Sequence, residues 1–194
     1  MVRVTVAPKE FTLIQFEATR IAELTAEVAD KIGFPDGMEV RVEVDEQSPL
    51  GKSEVVAIDP VTLLVESGAF EDAKHPRHLS DRGVRSVVGR LLFRARDRLD
   101  PSFAQAPRDG EMPLRLHAAW DVYAVGRCAR LGLRTQKERR RYHFRIRHGF
   151  TDAADEVFDR LWDAEGLSWA DLEAVCEETR AADTRRPVKP GRGR

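Results

Sequence analysis

In residues 38–46 of this chain, MEVRVEVDE, apolar and charged side chains alternate strictly as far as Asp45. In an extended strand, successive side chains point to opposite faces, so the apolar residues from Met38 to Val44 would share one face and the charged residues the other. The pattern predicts a half-buried strand. Such a strand must pair with neighbours in a sheet and have its apolar face covered, so the rest of the fold has to provide both.

Further strands and helices are predicted from the same kind of periodicity. Alternating or continuous apolar runs predict three more short strands, and apolar residues repeated at spacings of three and four predict helices. The predicted strands are residues 2–6, 54–58 and 61–66, and the predicted helices are residues 16–32, 79–99, 113–131, 151–165 and a last helix from Ser168. We therefore expect an α+β fold, with a small, mostly antiparallel sheet and helices in the N-terminal half and a helical C-terminal half.

The expected organisation has three parts. Residues 1–100 make up an α+β region and residues 113–182 a mainly helical region, in one domain or in two. Between them, residues 100–113 contain three prolines and a glycine, which are typical of a connection. Residues 183–194 are basic, rich in Pro and Gly and almost without apolar side chains, so they are predicted to be a disordered tail.

The helix predicted at residues 79–99 carries one apolar stripe and several arginines. The stripe runs from Val84 to Leu99, and the arginines lie elsewhere on the helix surface. Gly89 interrupts the middle of the helix, where glycine costs about 1 kcal/mol relative to alanine, so we expect it to permit close packing. The arginines off the stripe are Arg82, Arg90, Arg94 and Arg98.

Composition excludes several classes of protein. With 42% hydrophobic and 34% charged residues and a formal net charge of -1, the chain is too apolar for general disorder and too balanced for a dedicated polyanion binder. No apolar run approaches the ~20 residues of a membrane span, and the N-terminus lacks the apolar core of a signal peptide. We expect a cytoplasmic protein with no membrane partner, in which Cys128 and Cys176 are buried, reduced thiols.

Common catalytic motifs are missing from the sequence. It contains no glycine-rich phosphate loop, no GxSxG nucleophile turn, no CxxC pair and no HExxH helix. No catalytic residue is therefore predicted, no organic cofactor is expected, and the chain is expected to act without catalysis.

The order of elements from Phe11 to Leu99 resembles that of minimal zincin-like metallopeptidase domains: a helix, a valine-rich strand ending in an acid, further strands and a long helix. In that family the long helix carries HExxH, often after a pair of valines. Here the segment RSVVGRLLF places Gly89, Arg90 and Phe93 where the family has its first His, its Glu and its second His. The resemblance implies a relative that does not bind zinc or activate water in the family's manner, and that serves in binding or scaffolding instead.

Histidine and aspartate side chains suggest one metal site. His75 and His78 lie close together in KHPRH, and His117 and Asp121 are four residues apart on a predicted helix, so they share a face. Together the four would form a sensible ligand set for a divalent metal. The alternative is that His117 lies at the edge of the core and is hydrogen-bonded to Asp121.

Charge is distributed unevenly along the second half of the chain. Residues 127–149 contain nine Lys or Arg and one Glu, a formal charge of +8, and residues 151–183 contain eleven acids and two Arg, a formal charge of -9. Adjacent blocks of opposite charge predict ion pairs within one fold. Arginine abundance alone is a weak sign of function here, because 26 of the 32 cationic residues in the whole chain are arginine.

The most basic stretch is KERRRYHFRIRHGF, residues 137–150. Residues 134–141 suit a helix, whereas from Arg141 onward apolar and cationic residues alternate, which predicts a half-buried strand with its cations outward. In the alternative, the aromatic side chains stack on bases and the cations meet the phosphates of a nucleic acid. In both cases, the predicted contact residues are Arg139, Arg140, Arg141, His143, Arg145 and Arg147.

Three functions are consistent with these patterns. The first is a non-catalytic interaction or regulatory module that contacts a protein partner through the Arg-rich surface. The second is an RNA- or DNA-binding protein that uses the same surface with the basic tail. The third is a metal-dependent enzyme built on the His/Asp set.

Overall fold

The computed structural model describes residues 2–184, with side chains as far as Ala182. Its strands are β1 (Arg3–Ala7), β2 (Glu39–Asp45), β3 (Ser53–Ile58) and β4 (Val61–Glu66). Its α-helices are α1 (Ala18–Ile32), α2 (Asp81–Arg98), α3 (Leu114–Arg130), α4 (Lys137–His148), α5 (Asp152–Asp163) and α6 (Trp169–Thr184). The α+β class is confirmed.

The four strands form one mixed sheet in the order β1-β2-β4-β3. β1 pairs with β2 and β2 with β4 in parallel, and only β3 and β4 are antiparallel. The expectation of a mostly antiparallel sheet is therefore wrong, because β4 lies between β2 and β3 and separates two strands that follow one another in sequence. A tight turn at Asp59 and Pro60 joins β3 to β4, whereas α1 links β1 to β2, a connection long enough for parallel strands.

The first hydrophobic core lies between the sheet and helices α1 and α2. In β2, Val40 and Val42 are fully buried while Arg41 and Asp45 are exposed, so the predicted division of this strand into two faces is confirmed. Helix α2 begins at a Ser80 cap, whose hydroxyl oxygen accepts from the main-chain N–H of Gly83 at 3.1 Å.

The second hydrophobic core is formed by the four C-terminal helices around three stacked or edge-packed rings. The ring of Trp120 lies 5.1 Å from Phe103 and 5.6 Å from Trp169, between ring centroids. Helix α3 serves both cores, because Ala124 and Cys128 on another of its faces join the first core. The division into regions 1–100 and 113–182 therefore stays a prediction. Helix α3 belongs to the second region but contributes side chains to both cores.

Two glycines allow helices to approach closely. A Cβ at Gly89 on α2 would lie 3.0 Å from a methyl group of Leu133 and 3.1 Å from the sulfur of Cys128, which confirms the close packing expected there. A Cβ at Gly126 on α3 would lie 2.1 Å from the main-chain oxygen of Trp162 on α5. The spacing between α3 and α5 therefore depends on the missing side chain.

Both cysteine thiols are buried, as expected. Burial raises the pKa of Cys128 to about 12 and that of Cys176 to about 11, so both are protonated at neutral pH.

Helix α6 extends to Thr184, two residues into the segment predicted to be a disordered tail. The rest of that segment, residues 185–194, lies outside the described part of the chain. Across residues 2–184, no helix combines the length and the apolar character required to cross a membrane.

Candidate functional site

The basic stretch at residues 137–150 is helical for most of its length. Helix α4 ends at His148 and is followed by Gly149, whose φ of 98° favours glycine. The strand predicted from Arg141 onward is therefore wrong. The two residues that α4 buries, Phe144 and His148, are four apart. A spacing of four residues is typical of one side of a helix, but it is also a multiple of the two-residue period of a strand. In a short segment, the apolar spacing therefore fits both a helix and a strand.

The buried side of α4 is anchored by Phe144 and His148, whose rings stack with centroids 3.9 Å apart. The His148 Nε2 lies 2.9 Å from the main-chain oxygen of Arg115, which can only accept, so this nitrogen carries the proton. The Nδ1 then accepts from the Thr179 hydroxyl at 2.8 Å. Burial lowers the pKa of His148 to about 4, so this histidine is neutral and serves packing.

A second side of α4 is ion-paired to the acidic helix α5. Arg145 forms a bidentate pair with Asp155 at 2.7 and 2.6 Å, and Arg141 forms one with Asp159 at 2.8 and 3.1 Å. Lys137 also reaches Asp159, at 3.1 Å. Arg141 and Arg145, two of the predicted contact residues, are therefore engaged within their own chain.

A fourth cation of α4, Arg140, reaches into a group of buried charges that we call the buried ion-pair layer. Its centre is Asp121 on α3, which accepts hydrogen bonds from Arg90 at 2.9 Å, Arg140 at 2.9 Å and Arg94 at 3.3 Å. Burial alone would raise the pKa of Asp121, but these three guanidinium groups outweigh it and hold the pKa well below its usual value. The layer consists of Arg90, Arg94, Arg98, Arg127 and Arg140 with Asp97, Asp109 and Asp121.

Asp109 ties the same layer to the sheet. One of its carboxylate oxygens accepts from Arg94 at 2.8 Å and from Arg98 at 2.6 Å. The other accepts the main-chain N–H of Val55 at 2.9 Å, on the outer strand β3. One carboxylate thus satisfies two cations and a strand-edge donor.

Asp97 completes the layer between α2 and α3. It pairs with Arg127 at 2.7 and 2.6 Å and accepts the indole N–H of Trp120 at 2.7 Å. Of the arginines that lie off the apolar stripe of α2, Arg90 and Arg94 are therefore buried and Arg98 is mostly buried, whereas Arg82 is exposed. Sequence reasoning missed this, because the carboxylates that neutralise the arginines come mostly from other elements.

The three positions compared with HExxH in the zincin-like family have packing and ion-pairing contacts. Gly89 faces the first core, and the ring of Phe93 lies 4.4 Å below the guanidinium of Arg127. Arg90 donates to Asp121 and, at 2.6 Å, to the hydroxyl of Ser53. The resemblance to that family stays an expectation.

The four residues of the predicted metal site occupy two separate places. His75 and His78 are exposed in the loop between β4 and α2, with ring centroids 6.2 Å apart. His117 lies at the edge of the core, as in the alternative interpretation. Its hydrogen bond, however, is to Arg94, which donates to Nε2 at 3.1 Å, whereas its Nδ1 is 3.8 Å from Asp121. Within residues 2–184, no three His, Cys, Asp or Glu side chains are grouped so that they could hold a metal ion.

The outward side of α4 exposes three large apolar side chains in a row. Tyr142 is 55% exposed, Ile146 46% and Phe150, just beyond the helix, 55%. The rings of Tyr142 and Phe150 contact each other edge to face, with centroids 6.0 Å apart. The strand predicted for this segment puts these side chains in the core, which is wrong; their spacing of four is the signal that they share one side of a helix.

A row of basic residues runs beside this apolar row. Arg139, His143 and Arg147 are also four residues apart and exposed, and none forms an ion pair or hydrogen bond with another described residue. Partial burial and the guanidinium groups of Arg140 and Arg139 lower the pKa of His143, so its imidazole is neutral at pH 7. The two rows together are called the α4 exposed face: Arg139, Tyr142, His143, Ile146, Arg147 and Phe150.

The chain was compared with protein-family models, with curated proteins and with solved structures. No family model matches the chain. No curated protein and no solved structure matches it either. The function is therefore inferred from the chain's own residues.

Proposed function

We propose that the chain is a non-catalytic interaction module whose α4 exposed face binds a protein segment carrying both apolar and acidic side chains. The observation that supports this most directly is the exposed row Tyr142, Ile146 and Phe150, which lies beside two arginines without partners in the described structure. Aromatic and arginine side chains are enriched at the centres of protein interfaces, where a few residues contribute most of the binding energy, and an exposed aliphatic side chain beside them adds apolar area that binding removes from water.

The charges on the α4 exposed face favour a protein over a nucleic acid as the partner. Nucleic-acid affinity grows with the number of phosphates neutralised. Arg139 and Arg147 are the only cations of this face that lack a partner within residues 2–184, since Arg140, Arg141 and Arg145 are bound to aspartates within the chain. An aliphatic Ile146 in the middle of the row is also a poor surface for stacking bases.

The metal-dependent alternative has weaker support. Asp121 is the only carboxylate of the proposed ligand set, and three guanidinium groups surround it. A divalent cation at this position would be repelled by the same positive charges that stabilise the carboxylate. Metal analysis of protein purified without an affinity tag tests this alternative, and a stoichiometric bound metal would revive it.

Peptide selection tests the proposal directly. A displayed library of random peptides is selected against the protein, and the peptides obtained are measured by fluorescence anisotropy. We expect sequences that combine aromatic or aliphatic residues with Asp or Glu. Ile146→Ser and Arg139→Glu should each weaken binding by at least ~10-fold, because each removes a contact at the interface centre.

Two matched variants control for general surface effects. Leu114→Ser removes an apolar side chain that is 60% exposed at the start of α3, and Arg160→Ala removes an exposed cation on α5. Both should leave peptide binding unchanged. Selection that yields no peptide dependent on Ile146 would overturn the proposal.

Two other results would identify a different ligand of the α4 exposed face. A single-stranded oligonucleotide that binds at ~50 mM salt and loses affinity with Arg147→Glu would identify a nucleic-acid surface instead. A concentration-dependent dimer that dissociates in the Ile146→Ser variant would show that a second copy covers this face. Either result contradicts the proposal that this face binds a segment of a different protein.

A further inference from the structure

A cavity of about 370 Å³ opens between α1, α2 and the loop that leads from α3 to α4. This volume lies within the range of ~300–1,000 Å³ that is typical of small-molecule sites. The cavity is separate from the α4 exposed face, none of whose six residues lines it. Its lining residues are Glu27, Val28, Lys31, Arg82, Arg85, Gly132, Leu133 and Arg134.

The floor of the cavity is apolar. Val28 on α1 and Leu133 in the loop are both almost completely buried in the first core, and each contributes part of its surface to the cavity. Gly132 beside them has a φ of 72° and no side chain, so it leaves the entrance open. A planar or aliphatic group could rest on this floor and remove apolar surface from water.

The rim of the cavity is strongly basic. Arg85 is neutralised by Glu27 at 2.8 Å. Lys31, Arg82 and Arg134 are exposed, and none of the three has an ion pair or hydrogen bond with any other residue that the structure describes. The one carboxylate of the lining, Glu27, is used by Arg85, so three positive charges from three different elements lie around the apolar floor without an acid of their own among the described residues.

We propose that this cavity binds a small organic phosphate, with the phosphate at the rim and an apolar body on the floor. A phosphate monoester carries a charge of about -1.5 to -2 at neutral pH and offers three acceptor oxygens. Arginine binds such a group through two parallel hydrogen bonds, and Arg82 on α2 and Arg134 in the loop after α3 both line the cavity. A monocarboxylate would neutralise less of the charge at the rim.

Titration with three small probes tests the site in the full chain. Phenyl phosphate, inorganic phosphate and benzoate are added to ¹⁵N-labelled protein, and amide chemical shifts are followed by NMR. We expect phenyl phosphate to shift the amides of Val28, Gly132 and Leu133. It should bind at least ~10-fold more tightly than inorganic phosphate, which lacks the apolar body, and than benzoate, which lacks the second charge.

Variants separate this site from general attraction of anions. The double variant Arg82→Ala, Arg134→Ala should weaken phenyl phosphate binding by at least ~10-fold. The matched double variant Arg139→Ala, Arg147→Ala removes two exposed cations from the α4 exposed face and should leave that binding unchanged. Circular dichroism and thermal unfolding of each variant confirm that it is folded.

Three results would overturn the inference. The first is the absence of saturable shifts at the cavity with ~10 mM phenyl phosphate. The second is equal loss of binding in both double variants, which would indicate a diffuse effect of charge. The third is equal affinity for phenyl phosphate and benzoate, which would remove the preference for phosphate. None of these results bears on peptide binding by the α4 exposed face.

Discussion

Arginines occupy two contrasting environments in this protein. In the buried ion-pair layer, every guanidinium contacts at least one aspartate, and Arg94 is fully enclosed. On the α4 exposed face, Arg139 and Arg147 lie in solvent with no acid beside them among the described residues. Neighbours in sequence, Arg139 and Arg140, belong one to each environment.

The difference shows that the pairing of a cation, and not its place in an Arg-rich stretch, decides whether it is available to a partner. An arginine bound to a buried carboxylate holds the fold together, because separating the two would leave an uncompensated charge in the interior. An exposed, unpaired arginine contributes little to stability and can be used for binding. Stability measurements should therefore rank the charged residues by their pairing.

The largest effect is expected from Asp121→Ala, which would leave Arg90, Arg94 and Arg140 without their shared carboxylate. Loss of one partner from a buried ion pair costs about 3–5 kcal/mol in the free energy of unfolding. Urea denaturation measures this change. Glu173→Ala, which removes an exposed acid on α6, is the control. A loss below ~1 kcal/mol for Asp121→Ala would contradict the structural role of the layer.

A smaller effect is expected from protonation of His148, the buried counterpart of the exposed His143 on the same helix. Its pKa falls from 6.5 to about 4 in the folded chain. Below pH 6.5 the unfolded state therefore takes up a proton that the folded state does not, so stability is lost as the pH falls toward 4. The loss should amount to about 2 kcal/mol between about pH 7.5 and pH 5.

The His148→Gln variant isolates this contribution. Glutamine has no proton to gain in this range, so the unfolding free energy of the variant should depend less on pH between 7.5 and 5. Urea denaturation at several pH values measures the two slopes. Equal slopes for the variant and the original chain would show that His148 is not buried as a neutral group.

Arg141→Ala should have an intermediate effect. This half-buried arginine pairs with Asp159, and its guanidinium lies 4.6 Å from the centre of the Phe158 ring. A partly exposed ion pair with a cation–π contact contributes about 1 kcal/mol. Chemical denaturation should place this variant between Asp121→Ala and the exposed arginines, and a loss as large as that of Asp121→Ala would remove the distinction.

The smallest effect on stability is expected from the double variant Arg139→Ala, Arg147→Ala. Neither side chain has a partner within residues 2–184, so the free energy of unfolding should change by less than ~0.5 kcal/mol. Binding of the selected peptides should nevertheless fall. A marked loss of stability would show that these arginines are bound within the chain.

Most local elements of the fold were predictable from sequence, with the second half of α4 as the exception, whereas the order of the sheet was not. The alternation in β2 determines which of its side chains are buried, because neighbouring side chains on a strand face opposite sides. The insertion of β4 between β2 and β3 depends on how the whole chain packs, and no local pattern encodes it.

The candidate site was predicted only in part for the same reason. The sequence located the basic stretch, but it did not distinguish Arg140 from Arg139. That distinction depends on Asp121, which is 19 residues away from Arg140 along the chain. The apolar pattern of the sequence also predicts that Tyr142 and Ile146 lie in the core, because over so few residues a strand and a helix have similar apolar spacings.

Helix α3 has a practical consequence for anyone who divides the chain in the connection at residues 100–113. The N-terminal fragment would lose Ala124 and Cys128 from its core, and Arg90 would lose Asp121. We expect neither fragment to fold well alone, but the two should reassemble when they are produced together, since each carries the surface that completes the other. A truncated chain that ends in this connection is therefore expected to be unstable unless the other fragment is supplied with it.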